Sequence, residues 1–121
     1  MKYKTINLKE NQPTVDQALA ILEIEIEIAR REGIVAMKII HGYGSHGVGG
    51  EIKRALKIWL PRAKHKGFIS DFVKGEQWLA SETAEKIKRL CPEVIGDPEL
   101  FYSNSGITLS LIHISEPTRP Y

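Results

Sequence analysis

A glycine-rich segment between two apolar stretches constrains the fold of this chain more than any other part of its sequence. Residues 34–40 form an apolar run interrupted only by Lys38, a composition typical of a strand that is buried on both faces. Five glycines follow within residues 42–50, and an amphipathic segment begins at Glu51. The pattern predicts a strand, a loop and a helix. Such a loop directs backbone N–H groups and the positive end of the helix dipole towards one point, where a phosphate is favoured.

Positive charge is concentrated beside this predicted loop. The 121 residues carry a formal net charge of only +2. Residues 42–67, however, contain six lysines and arginines against one acidic residue, a charge of +5, so the remainder carries −3. A basic cluster next to a phosphate-binding loop predicts contact with the backbone of DNA or RNA, between which the sequence does not decide. The predicted binding residues are Lys9, His41, Gly42, Tyr43, Gly44, Ser45, Gly47, Gly49, Lys53, Arg54 and Lys57.

The other segments predict an α/β domain in which a mixed sheet and helices form a two-layer sandwich, with elements in the order βαβαβ-α-β. Thr14 and Gln17 form a capping-box pattern that opens the first helix. Alternation of isoleucine and glutamate over residues 23–28 competes with this prediction, because it is typical of a half-buried strand. The cap, the length and the glycine at position 33 favour the helix. Pro61 is expected to end or kink the second helix.

Composition restricts the class of protein further. The chain has no run of about 18 apolar residues, and its first residues lack the apolar core of a signal peptide. Its single cysteine, Cys91, cannot form an internal disulfide. We therefore expect a cytoplasmic protein without membrane association.

The segment His41–Gly47, following a buried strand and preceding a basic helix, resembles the second motif of the small MutS-related (Smr) domain family, His-Gly-x-Gly followed by further glycine. Residues 71–76 and 97–108 also resemble the stand-alone form of that family. The resemblance covers most of residues 1–108. It implies a fold similar to the carboxyl-terminal domain of bacterial initiation factor three and nucleic-acid binding. It also implies endonuclease activity in some members, and membership of a larger repair or ribosome-associated assembly.

The first motif of the family, Leu-Asp-x-His-Gly, is altered in this chain. The matching positions are Ile6, Asn7, Leu8, Lys9 and Glu10. An asparagine cannot act as a carboxylate base, and a lysine of ordinary pKa is charged rather than a neutral proton acceptor. The sequence therefore argues against nuclease activity, leaves His41 as the candidate catalytic residue, and calls for a divalent metal only if that activity is retained.

Other interpretations of the glycine loop stay open. Gly42, Gly44 and Gly47 match Gly-x-Gly-x-x-Gly, with Asp71 at about the distance expected of a dinucleotide site. A nucleotide or dinucleotide ligand is therefore the alternative to nucleic acid, and a purely structural loop is a third interpretation. His41 could equally be a backbone-bonded structural histidine. The histidines match no standard zinc spacing, so no metal site is predicted.

The carboxyl-terminal segment resembles sequence of artificial origin. From Leu109, the sequence resembles a translation of the transposase adapter used in preparing sequencing libraries. The resemblance implies that residues 109–121 are a non-native tail replacing the last strand of a domain that spans residues 1–108. Residues 107, 109 and 111 nevertheless alternate as in a strand, so the tail could occupy that strand's place.

Overall fold

The computed structural model describes residues 2–42 and 47–112. Its main elements follow the predicted order: β1 (Tyr3–Asn7), α1 (Val15–Arg31), β2 (Ala36–Ile40), α2 (Gly47–His65), β3 (Asp71–Lys74), α3 (Glu82–Leu90) and β4 (Ile107–Leu111). Short 3-10 helices span Gly75–Ala80, Pro92–Gly96 and Pro98–Leu100. The predicted α/β class and element order are therefore confirmed.

The four strands form one mixed sheet in the order β1-β2-β4-β3. β1 and β2 are parallel, whereas β4 runs antiparallel to both of its neighbours, β2 and β3. The last strand in sequence therefore lies inside the sheet. Parallel β1 and β2 both end at the same edge, which is also the edge at which β4 begins.

α1 forms as its cap and apolar spacing predict. The Thr14 hydroxyl accepts a hydrogen bond from the backbone N–H of Gln17 (3.1 Å), and the Gln17 side chain accepts one from the backbone N–H of Thr14 (2.9 Å). The helix buries Ala18, Leu22, Ile26 and Ala29. The alternating isoleucines do not form a strand face, because Ile26 is buried whereas Ile24 is 57% exposed on the opposite side of the helix.

α2 departs from the sequence prediction at both ends. It begins at Gly47, so Gly47 and Gly49 belong to the helix backbone and not to the predicted glycine loop. It also continues through Pro61 to His65, so the expectation that Pro61 ends the helix is wrong, whereas a kink at Pro61 stays a prediction. Burial of Ile52, Leu56, Leu60 and Ala63 fixes the helix on the sheet, and this packing outweighs the low helix propensity of glycine, about 1 kcal/mol per residue.

Both faces of the sheet are covered. On one face, α1 and α2 pack over Ile6, Met37 and Ile39. On the other, α3 and the 3-10 segments pack over a second cluster that includes Ala36 and Leu109. Side chains of successive strand residues therefore enter different cores.

The two tryptophans and the single cysteine lie in these cores or pack against them. Trp78 is 2% exposed in the first 3-10 helix. Trp59 packs edge-on against Phe68, with ring centroids 6.1 Å apart. Cys91 is a buried free thiol, and burial raises its pKa. Trp78 and Cys91 are therefore core side chains, and half-buried Trp59 packs against the core.

The adapter-like segment supplies part of the sheet. Leu109 and Leu111 lie in β4 and are fully buried, and Ile112 is 3% exposed. These residues therefore occupy the position of the last strand. The domain boundary at residue 108 and the foreign origin of the segment stay predictions, and residues 113–121 lie outside the described part of the chain.

Within residues 2–42 and 47–112, none of the helices is sufficiently long and apolar to cross a membrane.

Candidate functional site

The carboxyl ends of β1 and β2 bring the two sequence motifs together. The backbone N–H of Leu8 donates to the carbonyl of Ile40 at 2.8 Å, which continues the strand pairing beyond β1. Lys9 consequently lies beside Gly42: a Cβ atom on Gly42 would be 3.5 Å from the Cδ atom of Lys9. Gly42 has φ of +86°, a conformation that favours glycine. The structure therefore places Lys9, His41 and Gly42 at one edge of the sheet.

His41 is held by hydrogen bonds on both ring nitrogens. Nδ1 lies 2.9 Å from the carbonyl oxygen of Gly42, and Nε2 lies 3.0 Å from Oγ1 of Thr108. Since a carbonyl only accepts, Nδ1 carries the proton, and in the neutral ring Nε2 accepts from the Thr108 hydroxyl. The backbone N–H groups of His41 and Gly42 both donate to the carbonyl of Gly106, at 3.0 and 3.1 Å.

The surroundings of His41 favour its neutral form. Its side chain is 2% exposed. Burial has the largest effect and lowers its pKa. The hydrogen bond to the Gly42 carbonyl and the charge of Glu76 oppose this effect and that of nearby Lys53, but the net shift is downward. His41 is therefore neutral at pH 7. It can exchange a proton at Nε2 only after the Thr108 hydroxyl turns away.

A cavity of about 180 Å³ lies between α2 and the sheet, with His41 and Thr108 in its lining. Its apolar walls come from Leu56, Leu60, Pro61 and Phe72, and its charged residues are Lys53, Lys57, Lys74 and Glu76. Lysine therefore outnumbers carboxylate three to one around this opening.

The charged residues of the cavity differ in exposure and pairing. Lys53 is largely buried, with 18% side-chain exposure, and its Nζ lies 3.7 Å from Oε2 of Glu76. Lys57 is exposed and lies one helical turn further along α2, whereas Lys74 is half-buried at the end of β3. Arg54 is also exposed but does not line the cavity.

The structure thus brings together five of the predicted residues: Lys9, His41, Gly42, Lys53 and Lys57. Tyr43, Gly44 and Ser45 lie outside the described residues, and Gly47 and Gly49 form the start of α2.

Sequence reasoning missed three polar residues of the cavity, Lys74, Glu76 and Thr108. Lys74 follows Phe72 by two positions, so strand periodicity could have placed both on one face. Thr108 pairs with Ile39 on one side and Lys74 on the other. That pairing depends on β4 lying between β2 and β3, which no local sequence pattern indicates.

The altered first motif has a structural role. Oδ1 of Asn7 accepts a hydrogen bond from the backbone N–H of Lys9 at 3.1 Å and so stabilises the turn after β1. Among the described residues, no three His, Cys, Asp or Glu side chains are grouped as they would be to hold a metal ion.

Asp71, the residue that would complete a dinucleotide motif, is engaged elsewhere. Its carboxylate forms an ion pair with Lys64 at 3.1 Å and accepts from the Phe72 backbone N–H at 2.8 Å. With Gly47 in a helix and Asp71 paired in this way, the geometry gives little support to the dinucleotide interpretation.

A second polar cluster lies on the other face of the sheet, away from the cavity. The Nζ atom of Lys38 lies 2.7 Å from Oδ2 of Asp97 and also contacts Glu99. The Tyr3 hydroxyl donates to the same oxygen of Asp97 at 2.6 Å. Burial alone would lower the pKa of Lys38, but its hydrogen bonds to the two carboxylates outweigh burial and raise it. This cluster attaches residues 97–99 to the centre of β2.

Together these features define an α/β domain with a lysine-rimmed cavity at the carboxyl edge of its parallel strands. The family model described as "Smr domain" matches residues 7–78, and the chain belongs to that family, which is associated with nucleic-acid binding and endonuclease roles. The fold is similar to the crystal structure of the Smr domain of Thermus thermophilus MutS2. The TM-score is 0.56 at 20% sequence identity, over 92% of this chain and 99% of the other. No match was found among curated proteins.

Proposed function

We propose that this domain binds the phosphate backbone of nucleic acid at the edge of the sheet where β1 and β2 end. The observation that carries the proposal is the convergence of Lys53, Lys57 and Lys74 around one cavity. Three cations in this arrangement can contact successive phosphates, and release of counterions from those phosphates favours binding.

Residues flanking the cavity extend this proposed surface. Lys9 lies beside Gly42 and adds a cation on the β1 side, and exposed Arg54 adds one on α2. Backbone N–H groups of residues 42–45 and of the first turn of α2, which includes Gly47 and Gly49, are further phosphate donors in this proposal. Backbone contacts of this kind position a polymer without reading its sequence.

The proposal is tested by measuring affinity for single-stranded and duplex DNA and RNA across a series of salt concentrations. We expect the double variant Lys53→Gln/Lys57→Gln to bind more weakly, with a log–log salt slope on duplex DNA reduced by about 1.8, or 0.9 for each lost phosphate contact. The matched control is Lys86→Gln/Lys88→Gln, which removes two lysines from α3 on the opposite face. An unchanged slope in the first variant would refute the assignment.

Endonuclease activity is a second candidate function, and the neutral imidazole of His41 in the cavity lining is the observation that favours it. Against it, Asn7 and Lys9 replace the acid and the histidine of the family's first motif, and both nitrogens of His41 are already hydrogen-bonded. We expect binding without cleavage of DNA or RNA in the presence of Mg²⁺ or Mn²⁺. Cleavage that disappears in His41→Ala would instead establish the enzyme.

A further inference from the structure

Building on the proposed backbone binding, we infer that the cavity beside His41 receives one unpaired nucleobase and prefers a pyrimidine to a purine. The domain would then favour single-stranded nucleic acid. The inference depends on the chemistry of the cavity walls, on the polar groups in its lining, and on its size.

The cavity walls suit a base better than a phosphate. Leu56, Leu60 and Pro61 present apolar surface, and Phe72 adds an aromatic side chain. A phosphate in such surroundings would lose its hydration without gaining hydrogen bonds from the walls. The flat faces of a base, in contrast, pack favourably on aromatic and apolar side chains.

Polar groups in the lining can hydrogen-bond the edge of a base. The Thr108 hydroxyl gives its proton to His41, and its oxygen keeps the capacity to accept. Lys53 and Lys74 are donors, and Glu76 is an acceptor. Donors and acceptors together match the edge of a base that is not already paired with another strand.

Cavity volume limits which base can enter. The space of about 180 Å³ compares with the roughly 150 Å³ cavity that accommodates benzene in another protein. It therefore holds a six-membered ring with its substituents, whereas the second ring of a purine leaves less room and would extend towards the opening. The lysines around the opening would hold the phosphates on either side of the inserted base.

The first test changes the ligand and leaves the protein unaltered. Affinity is measured for oligothymidylate, for oligodeoxyadenylate, and for an abasic oligomer of the same length and charge. We expect oligothymidylate to bind about 5-fold to 150-fold more tightly than the abasic oligomer, the range found for stacking of one base. Oligodeoxyadenylate should lie between them, and the salt slope should be the same for all three.

The second test changes one wall of the cavity. Phe72→Leu removes the aromatic ring but keeps apolar surface, and it should bring the affinities for oligothymidylate and the abasic oligomer closer together. The control is Phe101→Leu, the same substitution at a side chain that is 64% exposed and does not line this cavity. It should leave the ratio of the two affinities unchanged.

The outcomes separate this inference from the proposal on which it rests. Equal affinity for oligothymidylate and the abasic oligomer would overturn the base cavity while leaving backbone binding intact. Tighter binding of oligodeoxyadenylate than of oligothymidylate would overturn the pyrimidine preference. Failure of every oligomer to bind at low salt would overturn both the cavity assignment and the proposed function.

Discussion

The Nε2 atom of His41 lies 3.0 Å from the hydroxyl oxygen of Thr108, although 67 positions separate the two residues in the chain. Both side chains are almost completely buried, so neither can readily exchange this partner for water. The bond joins the end of β2 to the second residue of β4. It therefore couples the geometry of the proposed binding site to correct insertion of the last strand.

Thr108→Val should destabilise the protein. Valine has nearly the shape of threonine but cannot donate to Nε2 of His41, which is left buried and unsatisfied at a cost of about 1–3 kcal/mol. Urea denaturation measures the difference in the free energy of unfolding. Thr5→Val, at an exposed position of β1, is the matched control. Equal midpoints for the two variants would contradict the role given to this hydrogen bond.

Stability should fall as the pH drops below the ordinary histidine pKa of 6.5. His41 has a lowered pKa in the folded state, so between the folded and unfolded pKa values the unfolded chain binds more protons, and acid favours unfolding. The free energy of unfolding is measured from about pH 8 to about pH 5. His41→Gln should reduce the pH dependence of the free energy of unfolding in this window. His65→Gln, at an exposed position, should retain it. A dependence that survives in His41→Gln would assign it to another group.

Lys38→Met should be among the more damaging single substitutions on the face opposite the cavity. The side chains of Lys38 and Asp97 are only 6% and 10% exposed, and removing one partner of such a buried pair typically costs about 3–5 kcal/mol. Lys88→Met, which removes the partner of exposed Glu85, should cost no more than about 1 kcal/mol. Thermal and urea unfolding compare the two. Similar small losses in both variants would show that Tyr3 and solvent suffice to satisfy Asp97.

Gly75→Ala should disrupt the connection between β3 and the turn before β4. A Cβ atom at position 75 would lie 2.0 Å from the carbonyl oxygen of Asn104 and 2.6 Å from Cγ1 of Ile107, so the backbone must shift, at a cost of about 1–3 kcal/mol or more. Gly96→Ala meets no atom within 4 Å and should be neutral or slightly stabilising, by up to about 1 kcal/mol. Chemical denaturation distinguishes the two, and equal stability would contradict the close approach at Gly75.

Local patterns in the sequence were sufficient to predict the elements and much of one edge of the site. The capping box at Thr14 identified α1 because both of its hydrogen bonds are local. The apolar run over residues 34–40 identified β2, and the end of that strand located His41 and Gly42. In contrast, the start of α2 was placed too late because glycine has low helix propensity, and packing of Ile52 and Leu56 overrides it.

The rest of the candidate site depends on contacts between distant residues. Lys74 and Thr108 reach the cavity because β4 inserts between β2 and β3, a topological choice that leaves no periodic signal in either segment. The pairing of Lys38 with Asp97 is of the same kind. Lys38 interrupts an apolar run, which could have signalled a buried charge, but its partner lies 59 positions away.

The central position of β4 has a consequence for biosynthesis. Residues 3–74 can form β1, β2 and β3 as they leave the ribosome, but β2 and β3 have no partner between them until residues 107–111 emerge. Until then the nascent sheet exposes two strand edges, the kind of surface on which chains aggregate and which chaperones cover. Folding of this domain is therefore expected to conclude in one late step, when the final strand closes the gap and brings Thr108 to His41.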